Sequence, residues 1–155
     1  MKIGIDCDNC LLEITSKIGI ETIQKIHSQG HQIYFISSIR EDLATDMKNV
    51  LQQTFSFLNI NDSLIIIPNK RKTDVDIFIN NSTKNIRSSR YYSILIDRFW
   101  NHNYDDAGNE KVYRVFDLTQ IEPMIKTIEK ILNVLWLMRW VERNNNMKFL
   151  LRWWE

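Results

Sequence analysis

Two aspartates one residue apart follow the first apolar run of the chain. Asp6 and Asp8 come directly after residues 2–5, with Cys7 between them. Because residues i and i+2 of a strand lie on the same side, the two carboxylates can converge just past the carboxyl end of this strand. In open α/β sheets, ligands bind at that edge. Two carboxylates this close repel each other unless a cation or a shared proton lies between them. The alternative is an ordinary strand followed by an Asp-Asn turn.

Polar side chains also follow each of the next three predicted strands. They are hydroxyls, cations and amides in turn: Ser37 and Ser38, then Lys70, Arg71 and Lys72, then Asn80 and Asn81. Because the carboxyl ends of parallel strands share one edge of a sheet, we expect these groups to lie near the aspartates. Phosphate chemistry needs such a set, namely a nucleophile, an acid and donors for the phosphoryl oxygens. The cations could equally belong to a solvated loop, and the serines could be turn residues.

The order of apolar runs predicts the fold. Strand-like and helix-like segments alternate through the first hundred residues, which favours a mostly parallel sheet. We expect a three-layer, Rossmann-like α/β domain with five strands, right-handed crossovers and helices on both faces. Predicted strands are 2–5, 31–36, 64–67, 75–79 and 93–96, with 112–116 as a possible sixth strand at the edge; predicted helices are 12–29, 41–57, 83–89 and 119–141.

The carboxy-terminal stretch is rich in aromatic residues. We predict one domain over residues 1–143 and a tryptophan-rich tail over residues 144–155. Packing against the sheet is the favoured use of the stretch. A homodimer or partner surface is a second use, and membrane-surface binding is a third, because basic residues accompany the tryptophans. The residues concerned are Leu132, Leu135, Trp136, Met138, Arg139, Trp140, Phe149, Leu150, Trp153 and Trp154.

Composition sets wider limits. A net charge of +1 over 155 residues gives no bulk electrostatic case for binding nucleic acid or an anionic membrane. No apolar run is long enough to span a bilayer and no signal peptide opens the sequence, so a cytoplasmic location is expected. Cys7 and Cys10 have the C-x-x-C spacing of redox and zinc sites. A zinc site would need about two further ligands, and small buried thiols are favoured instead.

In this order, the motifs resemble those of the haloacid dehalogenase superfamily of phosphatases. Residues 3–11, with Asp6 and Asp8, look like the family's first motif, and Ser38 after an apolar strand looks like its second. Either Lys70 or Lys72 would supply the third motif. Within the superfamily, residues 75–82 and 96–101 are most similar to the 5'(3')-deoxyribonucleotidases. The resemblance covers about residues 1–120.

The resemblance implies Mg²⁺-dependent hydrolysis of a phosphomonoester, with a nucleotide as the substrate. Asp6 would attack phosphorus to form a phosphoaspartate, and Asp8 would protonate the leaving oxygen and then activate water. The resemblance also implies groups that hold phosphate and metal. The phosphoryl oxygens would be held by Ser38 and Lys70, with Ser37 and Lys72 as further candidates. Mg²⁺ would be held by Asp6, by Asp8 through its backbone carbonyl, and by Asn80 or Asn81.

The sequence departs from the family in two places. Asn80 and Asn81 stand where the family has an acidic pair, which favours a catalytically weakened protein that binds a phosphorylated ligand or a protein partner. The helical cap of the nucleotidases also has no counterpart, because the residues between Leu12 and Ile33 suffice for only one helix. An open site would suit a polynucleotide end, which makes a polynucleotide-end phosphatase a further alternative. A partner subunit could instead supply the lid.

Overall fold

The computed structural model describes residues 1–8, 10–86, 91–105 and 109–143, and the side chains of all of these except Arg71 and Glu142. The chain divides into two units, residues 1–122 and residues 123–155. The sequence-based domain boundary was placed at residue 143, and the predicted tail, 144–155, lies outside the described residues. Within the described ranges, no helix is both long and apolar enough to cross a membrane.

The first unit is built on a parallel sheet. Its order is β3-β2-β1-β4-β5-β6, so that β1 lies between β2 and β4. This confirms the α/β class and the Rossmann-like arrangement of the sheet. The prediction of five strands was one short, because the possible sixth strand does form and pairs in parallel with β5. The strands are β1 (Lys2–Asp6), β2 (Gln32–Ser37), β3 (Leu64–Ile66), β4 (Ile77–Asn80), β5 (Tyr92–Ile96) and β6 (Val112–Val115).

The central strands are buried on both faces. Every residue of β4 and β5 is buried, and so are four of the five residues of β1. Such continuous apolar runs are typical of parallel strands, which are covered on both sides. Gly4 in β1 allows neighbouring side chains to pack closely against the strand, because a Cβ there would lie 2.6 Å from Ile36 Cδ1 and 2.9 Å from Phe78 Cδ2. The strand that carries Asp6 is therefore held rigidly in the core.

Within the part of the chain that the structure describes, five α-helices connect or follow the strands. The segment predicted as one helix over 12–29 is two helices, because Ser16 interrupts it and accepts a hydrogen bond from the Gly19 N–H at 3.1 Å. Gly19 permits the close approach of the two pieces, since a Cβ there would lie 2.5 Å from the Glu13 and Ile14 carbonyl oxygens. The helices are α1 (Leu11–Ile14), α2 (Lys17–Ser28), α3 (Glu41–Thr54), α4 (Ile60–Ser63) and α5 (Ile121–Arg143), with 3₁₀ turns at Lys70–Lys72, Thr83–Asn85 and Leu118–Gln120.

Helix α5 begins at the end of the first unit and continues into the second. The described part of the second unit, residues 123–143, lies within this helix. Apolar side chains surround its last three turns and are exposed: Val134, Leu135, Trp136, Leu137, Met138 and Trp140. These side chains belong to the second unit, and packing of Leu135, Trp136, Met138 and Trp140 against the sheet stays a prediction. A helix that covers a sheet needs only one apolar stripe, whereas this stretch is apolar all round. Phe149, Leu150, Trp153 and Trp154 lie outside the described residues.

Candidate active site

The candidate site lies where the strand order of the sheet reverses. Strands β2 and β4 both pair with β1, one on each side, and the crevice at the carboxyl ends of such strands is the usual ligand site of this architecture. Asp6 is the last residue of β1 and Asn80 is the last of β4. Ile5 pairs with Ile79, so Asp6 and Asn80 follow at the same level of neighbouring strands. The sheet therefore places the first aspartate at its switch point.

Lys70 joins the two aspartates. Its Nζ lies 2.5 Å from Asp6 Oδ1 and 2.6 Å from Asp8 Oδ2. Lys70 comes from the 3₁₀ turn that follows β3, and both its side chain and that of Asp6 are buried. The Asp8 backbone N–H also donates to Asp6 Oδ1 at 3.0 Å. The cation that two adjacent carboxylates require is thus supplied by the protein itself.

Two serines at the end of β2 complete the shell around Asp8. The Ser37 hydroxyl donates to Asp8 Oδ1. The Ser38 hydroxyl and backbone N–H donate to Asp8 Oδ2 at 2.5 and 3.0 Å. Ser37 is buried and Ser38 is exposed, so Ser38 is the one that an incoming ligand can reach. The structure brings together five residues that the sequence analysis singled out: Asp6, Asp8, Ser37, Ser38 and Lys70.

The two carboxylates have opposite pKa shifts. Burial raises the pKa of Asp6 above its ordinary value, and this effect exceeds the lowering effect of the Lys70 charge. Burial also acts to raise the pKa of Asp8, but hydrogen bonds from Lys70, Ser37 and Ser38 outweigh it and lower the pKa of Asp8. Pairs of titratable groups whose environments push their pKa values apart are typical of acid–base sites.

An open pocket of about 350 Å³ adjoins this cluster. Five of its residues, namely Pro68, Asn69, Ser82, Lys84 and Asn85, were not singled out in the sequence as site residues. Asn85 Nδ2 donates to Asp6 Oδ2 at 3.3 Å. The sequence predicted a short helix over residues 83–89, whereas the structure has a 3₁₀ turn at Thr83–Asn85. The predicted helix gave no reason to expect these side chains beside Asp6. The lining residues are Asp8, Ser38, Pro68, Asn69, Lys70, Ser82, Lys84 and Asn85.

The other predicted site residues have different surroundings. Lys72 is exposed, so Lys70 is the lysine that contacts the aspartates. Asn80 is buried; its Oδ1 accepts from the Ser82 N–H at 3.1 Å, and its Nδ2 has no hydrogen-bond partner among the described residues. Asn81 is also buried, and its backbone oxygen accepts from the side chains of Trp100 and Asn101. Both asparagines lie at the same sheet edge as Asp6.

The donor set fits Mg²⁺ better than a softer metal. Among the described side chains, no three His, Cys, Asp or Glu residues lie together as a metal site. The groups that contact the Asp6 carboxylate are the Lys70 ammonium at 2.5 Å, the Asp8 backbone N–H at 3.0 Å and the Asn85 amide at 3.3 Å, and the Asn85 amide can present its oxygen in place of its nitrogen. Mg²⁺ binds through one or two carboxylates and substrate phosphate while it keeps several waters. Asp6, the Asp8 backbone carbonyl and an asparagine oxygen would suffice for that coordination.

The two cysteines lie beside the site as thiols. Cys7 and Cys10 are both buried and free. Burial raises the pKa of each thiol well above its ordinary value, so neither is activated as a thiolate. These surroundings favour the small buried thiols that the sequence analysis preferred over redox or zinc chemistry.

No protein-family model matches the sequence, and a comparison with curated proteins found no significant match.

Proposed function

We propose that this chain is a Mg²⁺-dependent phosphomonoester hydrolase that resembles the haloacid dehalogenase superfamily. We propose further that it has no cap domain and that its substrate is a nucleotide. One observation carries the proposal. A buried lysine bridges two aspartates at the switch point of a parallel sheet, and two serine hydroxyls donate to the second aspartate. Such a cluster would supply a nucleophile, an acid–base group and donors to the phosphoryl oxygens within hydrogen-bond reach of one another, which supports the proposal.

Asp6 would be the nucleophile. Its buried carboxylate attacks phosphorus, a bond forms between Asp6 and phosphorus, and the bond from phosphorus to the leaving oxygen breaks. Asp8 gives its proton to that oxygen. Asp8 then takes a proton from a water molecule that attacks the phosphoaspartate, which releases inorganic phosphate and restores Asp6. The rigid setting of β1 holds the nucleophile in place for both steps.

The donors around Asp8 explain how it would acquire the proton that the first step needs. Hydrogen bonds from Ser37, Ser38 and Lys70 stabilise the Asp8 carboxylate and lower its pKa. A phosphoryl group entering the pocket would compete for the same donors, because its oxygens are strong acceptors. Asp8 would then lose stabilising hydrogen bonds beside a negative charge, so its pKa would rise. Substrate binding itself would therefore convert Asp8 from a base into an acid.

The charge balance supports a role for a divalent cation. Asp6 and Asp8 carry two negative charges and Lys70 neutralises one of them, which leaves an environment that repels a phosphate dianion. Lys84 in the pocket wall offsets part of that repulsion. When bound, Mg²⁺ would supply further positive charge to the phosphoryl oxygens. Asp6, the Asp8 backbone carbonyl and an asparagine oxygen would hold it.

A second candidate function is binding of a phosphorylated ligand without turnover. The observation that favours it is the pair Asn80 and Asn81, which brings no charge to the edge where the family has aspartates. Asn80 Oδ1 is already bonded to the Ser82 N–H. A site of this kind would bind Mg²⁺ weakly, and the two candidates differ in whether phosphate is released.

Phosphate release from a panel of phosphomonoesters tests the proposal. The panel contains nucleoside monophosphates, a generic aryl phosphate and a 5'-phosphorylated oligonucleotide, each with and without Mg²⁺. We expect Mg²⁺-dependent release from nucleotides that disappears in Asp6→Asn. Asp74→Asn is the matched control, because Asp74 is exposed and pairs with Lys2 at the start of β1. Binding of nucleotides without release would favour the second candidate, and preference for the oligonucleotide would favour a polynucleotide-end phosphatase.

A further inference from the structure

Two aromatic side chains are exposed beside the candidate site. Phe99 is 87% exposed and Trp100 is 54% exposed, in the loop that follows β5. Their ring centroids are 4.8 Å apart and the rings meet edge to face at 81°. Large apolar side chains that cluster at the surface usually mark a binding site, because leaving them in water is costly. The mechanism proposed above uses neither ring.

The loop that carries the rings is anchored on two sides. The Trp100 indole N–H donates to the Asn81 backbone oxygen at 3.0 Å, and Asn101 Nδ2 donates to the same oxygen at 2.9 Å. On the other side, the Arg98 guanidinium pairs with Glu13 of α1 at 2.6 Å. The exposure of the rings is therefore built into the fold, and the rings are pre-organised for a ligand.

The anchor also places the rings close to the phosphate chemistry. Asn81 directly follows Asn80, which ends β4 at the level of Asp6 in the neighbouring strand. Adjacent strands lie about 4.8 Å apart. The Trp100 indole therefore contacts Asn81, which directly follows the strand neighbour of the proposed nucleophile Asp6. A nucleotide has a flat aromatic base one sugar away from its phosphate, so rings anchored at this edge of the sheet, outside the residues that line the pocket, suit the base rather than the phosphate.

We propose that Phe99 and Trp100 form a stacking platform for the nucleobase of the substrate. This inference rests on the proposed hydrolase function and adds the element that distinguishes a nucleotide from other phosphomonoesters. Every nucleobase has a π-face, so stacking recognises bases as a class with little discrimination among them. Phe99 offers the more exposed ring, and Trp100 holds the loop in place through its N–H. The platform does part of the work that a cap would do over a small substrate.

Calorimetric binding tests the platform without requiring turnover. The Asp6→Asn chain is titrated with a nucleoside monophosphate and with ribose 5-phosphate, which lacks the base. The titrations are repeated with Phe99→Ala added. We expect the added change to weaken nucleotide binding at least about fivefold, the lower end of the effect of base–aromatic stacking, and to leave ribose 5-phosphate binding unchanged. Phe116→Ala is the matched control, because Phe116 is 63% exposed but follows β6, two strands away from β4.

The outcomes separate the platform from the hydrolase. Nucleotide binding that Phe99→Ala weakens, without phosphate release by the wild type, would support the platform and refute the hydrolase. Phosphate release with equal kcat/KM for nucleotide and ribose 5-phosphate would support the hydrolase and overturn the platform. Nucleotide binding that Phe99→Ala leaves intact, or no nucleotide binding at all, would also overturn it. So would a Phe99→Ala chain that changes from dimer to monomer in size-exclusion chromatography, since the rings would then be a self-association surface.

Discussion

Removal of the Lys70 charge should destabilise the fold strongly. The Lys70 ammonium is 5% exposed and pairs with the fully buried Asp6 carboxylate at 2.5 Å and with Asp8 at 2.6 Å. Lys70→Met keeps most of the side-chain volume but leaves Asp6 without this buried counter-ion. Breaking a buried ion pair by removing one partner costs about 3–5 kcal/mol. For a chain of this size, that loss lowers Tm by roughly 6–20 °C.

The loss should depend on pH in a defined direction. The Lys70 charge lowers the pKa of Asp6, so its removal raises the folded-state pKa further above the unfolded value. A carboxyl group with a raised folded-state pKa prefers its protonated form in the folded protein. The penalty is therefore small at pH values below the unfolded pKa, grows as the pH rises from the unfolded pKa to the folded-state pKa, and is constant above it. Lys70→Met should lose more stability at about pH 8 than at about pH 4, which is close to the unfolded pKa.

Urea unfolding of three variants measures this effect. Lys72→Met is the control, because Lys72 is exposed two residues further along the same turn, and its change should stay within about 0.5 kcal/mol. Adding Asp6→Asn to Lys70→Met removes both buried charges, and the double variant should regain much of the lost stability. Equal unfolding midpoints for Lys70→Met and Lys72→Met at both pH values would refute the reasoning.

The remaining predictions concern a hydroxyl donor, the rate profile and the packing of β1. Ser38→Ala removes a hydroxyl donor from Asp8 and should slow phosphate release by about tenfold or more with little change in unfolding; an unchanged rate would contradict the role of Ser38. A profile of kcat/KM against pH should fall on the acid side, because attack needs ionised Asp6; a profile without an acid limb would contradict this role of Asp6. Gly4→Ala would place a Cβ 2.6 Å from Ile36 Cδ1 and should cost about 1–3 kcal/mol in thermal unfolding; wild-type stability would contradict this packing.

Much of the site could be predicted because parallel strands share one edge. The positions of Asp6 and Asp8 after β1, and of Ser37 and Ser38 after β2, were enough to expect their convergence. Lys70 and Lys72 could not be separated in the sequence, since both are cations before the same strand. The 3₁₀ turn decides between them, because it buries Lys70 and leaves Lys72 exposed.

Other features depend on tertiary contacts that leave little local signal. Strand β6 is a short run that contains Arg114, and its pairing with β5 was visible only as a possibility in the sequence. A 3₁₀ turn places Asn85 so that its amide donates to Asp6. An uncharged amide in a polar loop gives no sequence pattern that would predict this contact. Ser16 reads as an ordinary residue within a helical periodicity, yet it caps α2 and ends the preceding helix.

The aromatic carboxy-terminal stretch shows the limit of a composition argument. Apolar composition predicted packing against the sheet, whereas residues 134–138 and 140 lie in the second unit, where their side chains are exposed. Apolar residues all round a helix do not define one face for a sheet, so composition alone does not decide what covers them. A homodimer through this stretch, a membrane-surface role and a cytoplasmic location stay predictions.

The central claim is that Asp6 accepts the phosphoryl group, and rapid acid quench with the best nucleotide tests it most directly. Peptide mass spectrometry, with fragmentation that separates Asp6 from Asp8, then locates any bound phosphoryl group. We predict a phosphoryl group on Asp6 in the wild type and in Asp74→Asn, and neither phosphoryl group nor phosphate release in Asp6→Asn. Phosphate release that persists in Asp6→Asn, or a phosphoryl group on another residue, would contradict the account.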